Sequence, residues 1–123
     1  MDKRSKKTLV IGASENPERY AFKAVTQLVM NGYPVVAFGS RAGKIGDVNI
    51  ETSFPKESSI HTVTIYLGPK NQEGYYELIE SLSPHRVIFN PGTENAEFAE
   101  RLNDLGIETI DACTLVLLAT KQY

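Results

Sequence analysis

The sequence predicts an α/β fold in which a parallel sheet is covered by helices on both faces. Three observations carry this. Short apolar runs recur at residues 8–11, 34–38, 62–67, 86–89 and 107–110, as buried parallel strands require. Apolar residues at helical spacing fill most of the intervals between them. Glycine, proline or a capping residue stands at the boundaries.

The first run, Thr8-Leu9-Val10-Ile11, meets Gly12, and Asn16-Pro17 then supplies a cap and a first-turn proline. Phe22, Val25, Leu28 and Val29 fall on one face of the helix that follows, and Gly32 is its expected left-handed stop. Residues 34–38 make the second strand, with Pro34 at the start, where a missing ladder donor is tolerated. From Gly39 to Ile60 the chain is rich in Gly and Ser, with a short strand suggested at residues 48–51 and no clear helix. Residues 62–67 are β-branched and aromatic and make the third strand. Gly68-Pro69 ends it. Asn71 then caps a helix through Leu82, with Tyr75, Leu78, Ile79 and Leu82 inward, broken by Ser83-Pro84. Residues 86–89 are the fourth strand. The turn Asn90-Pro91-Gly92-Thr93 leads to a helix with Phe98, Ala99, Leu102 and Leu105 on one side, stopped by Gly106. Residues 107–110 are the fifth strand, and 114–120 a final short helix.

Right-handed crossovers place such helices on both faces of the sheet. The expectation is a Rossmann-like three-layer sandwich with a five-stranded parallel sheet, ordered 3-2-1-4-5 by analogy with nucleotide-binding sheets. The carboxyl ends of the strands then share one edge. That edge gathers Gly12-Ala13-Ser14, Gly39-Ser40-Arg41, Gly68-Pro69, Asn90-Pro91-Gly92 and Asp111-Ala112-Cys113. Small-residue turns of this kind let a ligand approach the backbone closely.

The bulk composition bounds the function. With 123 residues, 41% hydrophobic and 23% charged, the chain reads as one domain at residues 8–123 behind a basic, flexible tail at residues 1–7. Lys3, Arg4, Lys6 and Lys7 face only Asp2 in that tail, which leaves 9 basic and 14 acidic side chains in the rest. So acidic a body argues against a nucleic-acid partner. The tail reads as a frayed, solvated terminus, with an anion-binding arm as the competing reading. No apolar run is long enough for a membrane span, and no apolar stretch of a secretion signal follows the basic residues. One cysteine, Cys113, excludes an internal disulfide. A cytoplasmic protein is the expectation. Whether it forms a homodimer or meets another protein partner is open.

The strand–glycine–helix start has the geometry that offers backbone amides to a phosphate. The dinucleotide pattern G-x-G-x-x-G would need glycines at 12, 14 and 17, where this chain has Gly12, Ser14 and Pro17. No Gly-Lys-Ser/Thr completes a P-loop either. About 20 residues on, an NAD-binding unit carries an Asp or Glu for the ribose hydroxyls. Here stand Gly39, Ser40 and Arg41. A cation at that position accepts a phosphorylated ribose, and the competing reading of Arg41 is a solvated turn residue.

Gly12-Ala13-Ser14 with Arg19, the small turn with Arg41, and Cys113-Thr114 together resemble the stand-alone CoA-binding domain proteins, whose fold is also that of the CoA-binding domain of succinyl-CoA synthetase α subunits. The resemblance covers about residues 8–120. It implies a small-molecule ligand, CoA or an acyl-CoA. Gly12, Ala13 and Ser14 would cradle its pyrophosphate with Arg19 as countercharge. Arg41 stands where the family usually has the lysine of Asn-Pro-Lys, near the adenosine phosphate, with Gly39 and Ser40 in place of the Asn-Pro pair. Gly68 and Pro69 would line the adenine side, and Asn90, Pro91, Gly92 and Glu94 would face the pantetheine arm.

Catalysis needs a nucleophile, a base or a metal within mutual reach. His61 and His85 both precede strands, at the edge away from the expected site, and read as loop histidines. No metal-ligand spacing is present. Cys113, after strand five and near a helix start, is the remaining candidate; it reads either as a turn-packing residue or as a thiol able to exchange with CoA. Glu94, Glu97 and Glu100 read as a solvated face. Non-catalytic CoA binding is therefore the preferred function, and an NADP-binding oxidoreductase or redox sensor is the alternative.

Overall fold

The computed structural model describes residues 2–123. At its centre lies β1 (Thr8–Ile11), buried along its whole length. It pairs in parallel with β2 (Val35–Phe38) on one side and β5 (Thr62–Ile65) on the other, so that Val10 faces Ala37 and Thr64. Beyond β5 come β6 (Arg86–Phe89) and β7 (Glu108–Asp111), both parallel. Beyond β2 come β4 (Val48–Glu51), parallel, and β3 (Gly43–Ile45), antiparallel to β4.

The result is a mixed α/β fold with a seven-stranded, mostly parallel sheet, ordered β3-β4-β2-β1-β5-β6-β7. It corrects the expectation of five strands ordered 3-2-1-4-5. The strand at residues 62–65 lies beside β1, and the place beside β2 belongs to residues 48–51. The cause is the segment after β2, which has no helix to make its crossover. A hairpin turned at Gly46 (φ +60°) brings the chain back parallel to β2 and buries Ile45 and Ile50. With β4 counted third, the six parallel strands follow the doubly wound order 3-2-1-4-5-6.

Alternate strand residues face opposite layers. Leu9, Ile11, Val63, Ile65 and Phe89 meet Tyr76 and Ile79 of α3 (Tyr76–Ser81) and Phe98 and Leu102 of α4 (Ala96–Asp104). Val10, Ala37 and Ile88 meet Ala21, Val25 and Leu28 of α1 (Tyr20–Met30) and Leu118 of α5 (Thr114–Ala119). Each layer excludes water from its own side of the sheet.

Helix boundaries differ from those the sequence predicts. Asn16 caps a turn, its Oδ1 accepting from the Glu18 N–H at 3.0 Å, and α1 starts later, behind Arg19, with no side-chain cap. Its inward face is Ala21, Ala24, Val25 and Leu28, while Val29 is exposed. Gly32, at φ +88°, does stop it, and the Tyr33 N–H closes back on the Leu28 carbonyl at 3.0 Å. The helix expected from Asn71 to Leu82 is broken into α2 (Pro69–Gln72), a 3₁₀ turn (Glu73–Tyr75) and α3, with Gly74 in the break and Leu78 exposed. Asn95 caps α4 through the Phe98 N–H at 3.0 Å, and Leu105 lies outside the core.

Met1 lies outside the described residues. Asp2 caps a 3₁₀ turn at Lys3–Ser5, Lys6 Nζ donates to the Tyr123 carbonyl at 2.9 Å, and Lys7 pairs with Glu57 at 2.9 Å. No helix among the described residues is long and apolar enough to cross a membrane.

Candidate functional site

The carboxyl edge of the sheet opens into a cleft of about 640 Å³ between the turn after β1, the end of β2 and the loops after β5 and β6. A smaller hollow of about 460 Å³ adjoins it, sharing Ala13, Ser14, Arg19 and Ser40. Gly12 makes the first turn at φ +94°. The Gly12 and Ala13 amides both donate to the Phe38 carbonyl at 2.9 Å, so this turn is bound to β2 and presents Ser14 next. Gly39 is required where the two strand ends meet, since a Cβ there would collide with the Ala13 carbonyl. Behind Arg19, the start of α1 faces the cleft with Tyr20 and Ala21.

The residues singled out in the sequence divide into two groups. Gly12, Ala13, Ser14, Arg19, Gly39, Ser40 and Pro91 line the cleft, and Arg41 lines the adjoining hollow. Gly68 and Pro69 start α2, and the wall there is made by Tyr66 and Leu67. Asn90 is buried with its amide committed: Nδ2 donates to Thr64 Oγ1 at 2.7 Å and the Ile65 carbonyl at 2.9 Å, while Oδ1 accepts the Thr114 N–H at 2.9 Å. Gly92 donates its N–H to Glu94 Oε1 at 2.8 Å, and neither lines the cleft. Cys113 is half-buried as the residue before α5.

Sequence reasoning missed the aromatic wall. Tyr66 read as a strand residue, but β5 ends one residue earlier and releases it to the cleft. Tyr75 read as an inward helix residue, but the break at Gly74 turns it to the cleft. There it stacks on Phe54 at 6.1 Å and meets Phe38 edge-on at 5.4 Å. A glycine inside a helical pattern was the available signal. The Tyr66 hydroxyl is buried with no hydrogen-bond partner among the described residues, beside the Thr64 and Thr114 hydroxyls that bond each other at 2.7 Å. Burial pushes its pKa up to about 12, against the opposing pull of those two hydroxyls. Gln72 fastens the loops, its Nε2 donating to the carbonyls of Leu67 at 2.9 Å and Thr93 at 2.7 Å.

Charge around the smaller hollow is uneven. Arg19 and Arg41 both line it, and neither makes an ion pair among the described residues. His61 and His85 stand at the opposite edge, stacked at 4.8 Å, with His61 half-buried beside Arg86. Among the described residues, no group of three or more His, Cys, Asp or Glu side chains is arranged to hold a metal.

A family model described as the CoA binding domain matches residues 6–119. The chain belongs to the CoA-binding domain family. That membership supports a small-molecule CoA ligand and lends no support to NADP. The fold agrees with solved structures. A crystal structure described only as that of an uncharacterized protein is 42% identical with a TM-score of 0.94, over 96% of this chain and 98% of that one. A Thermus thermophilus protein is 20% identical with a TM-score of 0.84, over 96% of this chain and 90% of that one. A hypothetical protein from Pyrococcus horikoshii is 24% identical with a TM-score of 0.82, over 90% and 80%. At such identities the last two speak to the fold alone. No match is found among curated proteins.

Proposed function

We propose that this CoA-binding domain holds CoA or an acyl-CoA in the carboxyl-edge cleft without transforming it. The observation that carries the reading is the pair of arginines, Arg19 and Arg41, which make no ion pair among the described residues although Glu15 lines the same hollow, beside a cleft with an aromatic wall. Two guanidinium groups outweigh the single Glu15 carboxylate in this hollow, a balance that suits phosphates, and the start of α1 adds to the attraction. Arg41 would meet the 3′-phosphate and Arg19 the pyrophosphate, with Ser14 and Ser40 beside them. Tyr66, Leu67 and Tyr75 would cover the less polar parts of the ligand. A cleft of this size lies within the roughly 300–1,000 Å³ range of small-molecule sites.

The non-catalytic part rests on what the cleft can offer chemically. Acyl transfer or hydrolysis needs a base near the thioester, and both histidines stand at the other edge of the sheet. Thermal shift and calorimetry with CoA, dephospho-CoA, NADPH and NADH test the reading. CoA at about 100 times its Kd should stabilise by about 2.7 kcal/mol, and CoA should bind about tenfold tighter than dephospho-CoA. Arg41→Glu should remove that preference. A larger shift with NADPH or NADH than with CoA would overturn the ligand. Steady thiol release from acetyl-CoA, abolished by Cys113→Ala, would overturn the non-catalytic role.

A further inference from the structure

We propose that Glu15 is a positioning residue for the phosphate contact, holding in place the loop that carries Arg41; this rests on the CoA reading above. Residues 40–42 span two fixed points. At one end the Gly39 N–H donates to the Glu51 carbonyl at 3.0 Å, and the Gly39 backbone lies against the Ala13 carbonyl. At the other end Glu15 Oε2 accepts the Lys44 N–H at 2.9 Å. The same side chain fills the space over Gly43, where any Cβ would strike it. Glu15 thus ties the start of β3 to the turn after β1, across 29 residues of chain.

A carboxylate beside an anion site repels the ligand, so its presence there calls for another role. Glu15 lines the same hollow as Arg19 and Arg41, yet makes no ion pair among the described residues. Its hydrogen bond goes to the hairpin backbone. Arg41 is exposed, and no hydrogen bond or ion pair holds its side chain among the described residues. Where its guanidinium can reach is therefore set by its backbone. A loop fixed at both ends spends less conformational entropy when the arginine engages a phosphate. Without Glu15 that end is held by the β3–β4 ladder alone and no longer tied to the turn after β1, so the loop loses part of that advantage.

Calorimetry with CoA and dephospho-CoA on the wild type, Glu15→Ala, Glu15→Gln, Arg41→Ala and the Glu15→Ala/Arg41→Ala double variant tests this. Glu15 is exposed, so the variants should fold. In Glu15→Ala the preference for CoA should fall from about tenfold to about twofold, with dephospho-CoA affinity little changed. Glu15→Gln, which keeps an acceptor for the Lys44 N–H but no charge, should retain the preference. The double variant should be no worse than Arg41→Ala, since the two act as one unit. Amide exchange at Lys44 should speed up in Glu15→Ala and not in Glu15→Gln. An undiminished preference in Glu15→Ala, or equal losses in the Gln and Ala variants, overturns this proposal alone. A wild type with equal affinity for the two ligands overturns the phosphate reading and this proposal with it.

Discussion

At the residue scale the site depends on two positions for opposite reasons. Gly39 must lack a side chain, because its neighbour is a backbone carbonyl that cannot swing aside. Gly39→Ala is expected to cost about 1–3 kcal/mol by urea unfolding and to weaken CoA binding, since the displaced backbone belongs to the cleft. Tyr66 carries a hydroxyl that its surroundings do not use. Burying such a group costs free energy, so Tyr66→Phe should leave stability unchanged or raise it by up to about 1 kcal/mol. A loss above about 1 kcal/mol in the same unfolding experiment would mean that the Thr64 and Thr114 hydroxyls bond it in solution.

At the element scale, the ends of β5, β6 and α5 are joined through one side chain, the Asn90 amide. Its removal leaves a buried carbonyl and a buried N–H short of partners. Asn90→Ala should therefore cost about 2–4 kcal/mol, as measured by denaturant unfolding. This role was hidden in the sequence, where an asparagine in a Pro-Gly turn at a strand's carboxyl end reads equally well as a ligand contact. The strands themselves were legible, because runs such as Leu9-Val10-Ile11 and Val87-Ile88-Phe89 have few other uses. Their order was not. Pairing is a long-range property, and the hairpin at residues 43–51 replaced the helix that would have announced a crossover. The turns at Gly12 and Gly39, and the place of Arg41 beside them, were legible because they follow from local sequence. Tyr75 entered the cleft only through a helix break, and Glu15 acts across 29 residues of chain, so neither had a local signature.

At the scale of the whole molecule, cationic side chains gather at the amino edge of the sheet as well as at the carboxyl edge. The amino edge brings together His61, His85, Arg86 and Lys6, with no ion pair to any of them among the described residues. Arg86 is buried, bonded to Thr62 Oγ1 at 2.9 Å and stacked on Tyr123, with no partner for Nη2 among the described residues. Burial foremost, then the charges of Arg86, His85 and Lys6, holds the His61 pKa down to about 4. In the unfolded chain a histidine titrates at about 6.5. Between these values the unfolded state takes up a proton that the folded state refuses. The contribution is thus complete above pH 6.5 and is lost progressively as pH falls toward 4. Unfolding free energies measured at pH 7 and 4.5 should show the loss, and His61→Gln should reduce it. An identical acid slope in the variant would assign the loss to carboxylates.

Seen from the rim of the sheet, the bond between Glu15 and Lys44 also guards against aggregation. β3 is an outermost strand, and outward-facing amides on such a strand invite a strand from another molecule to pair with it. This one is only three residues long, Gly43-Lys44-Ile45, with a lysine at its middle. Its central N–H already donates to a carboxylate from the same chain. An incoming strand would have to displace that carboxylate and accommodate the lysine for a ladder of very few bonds.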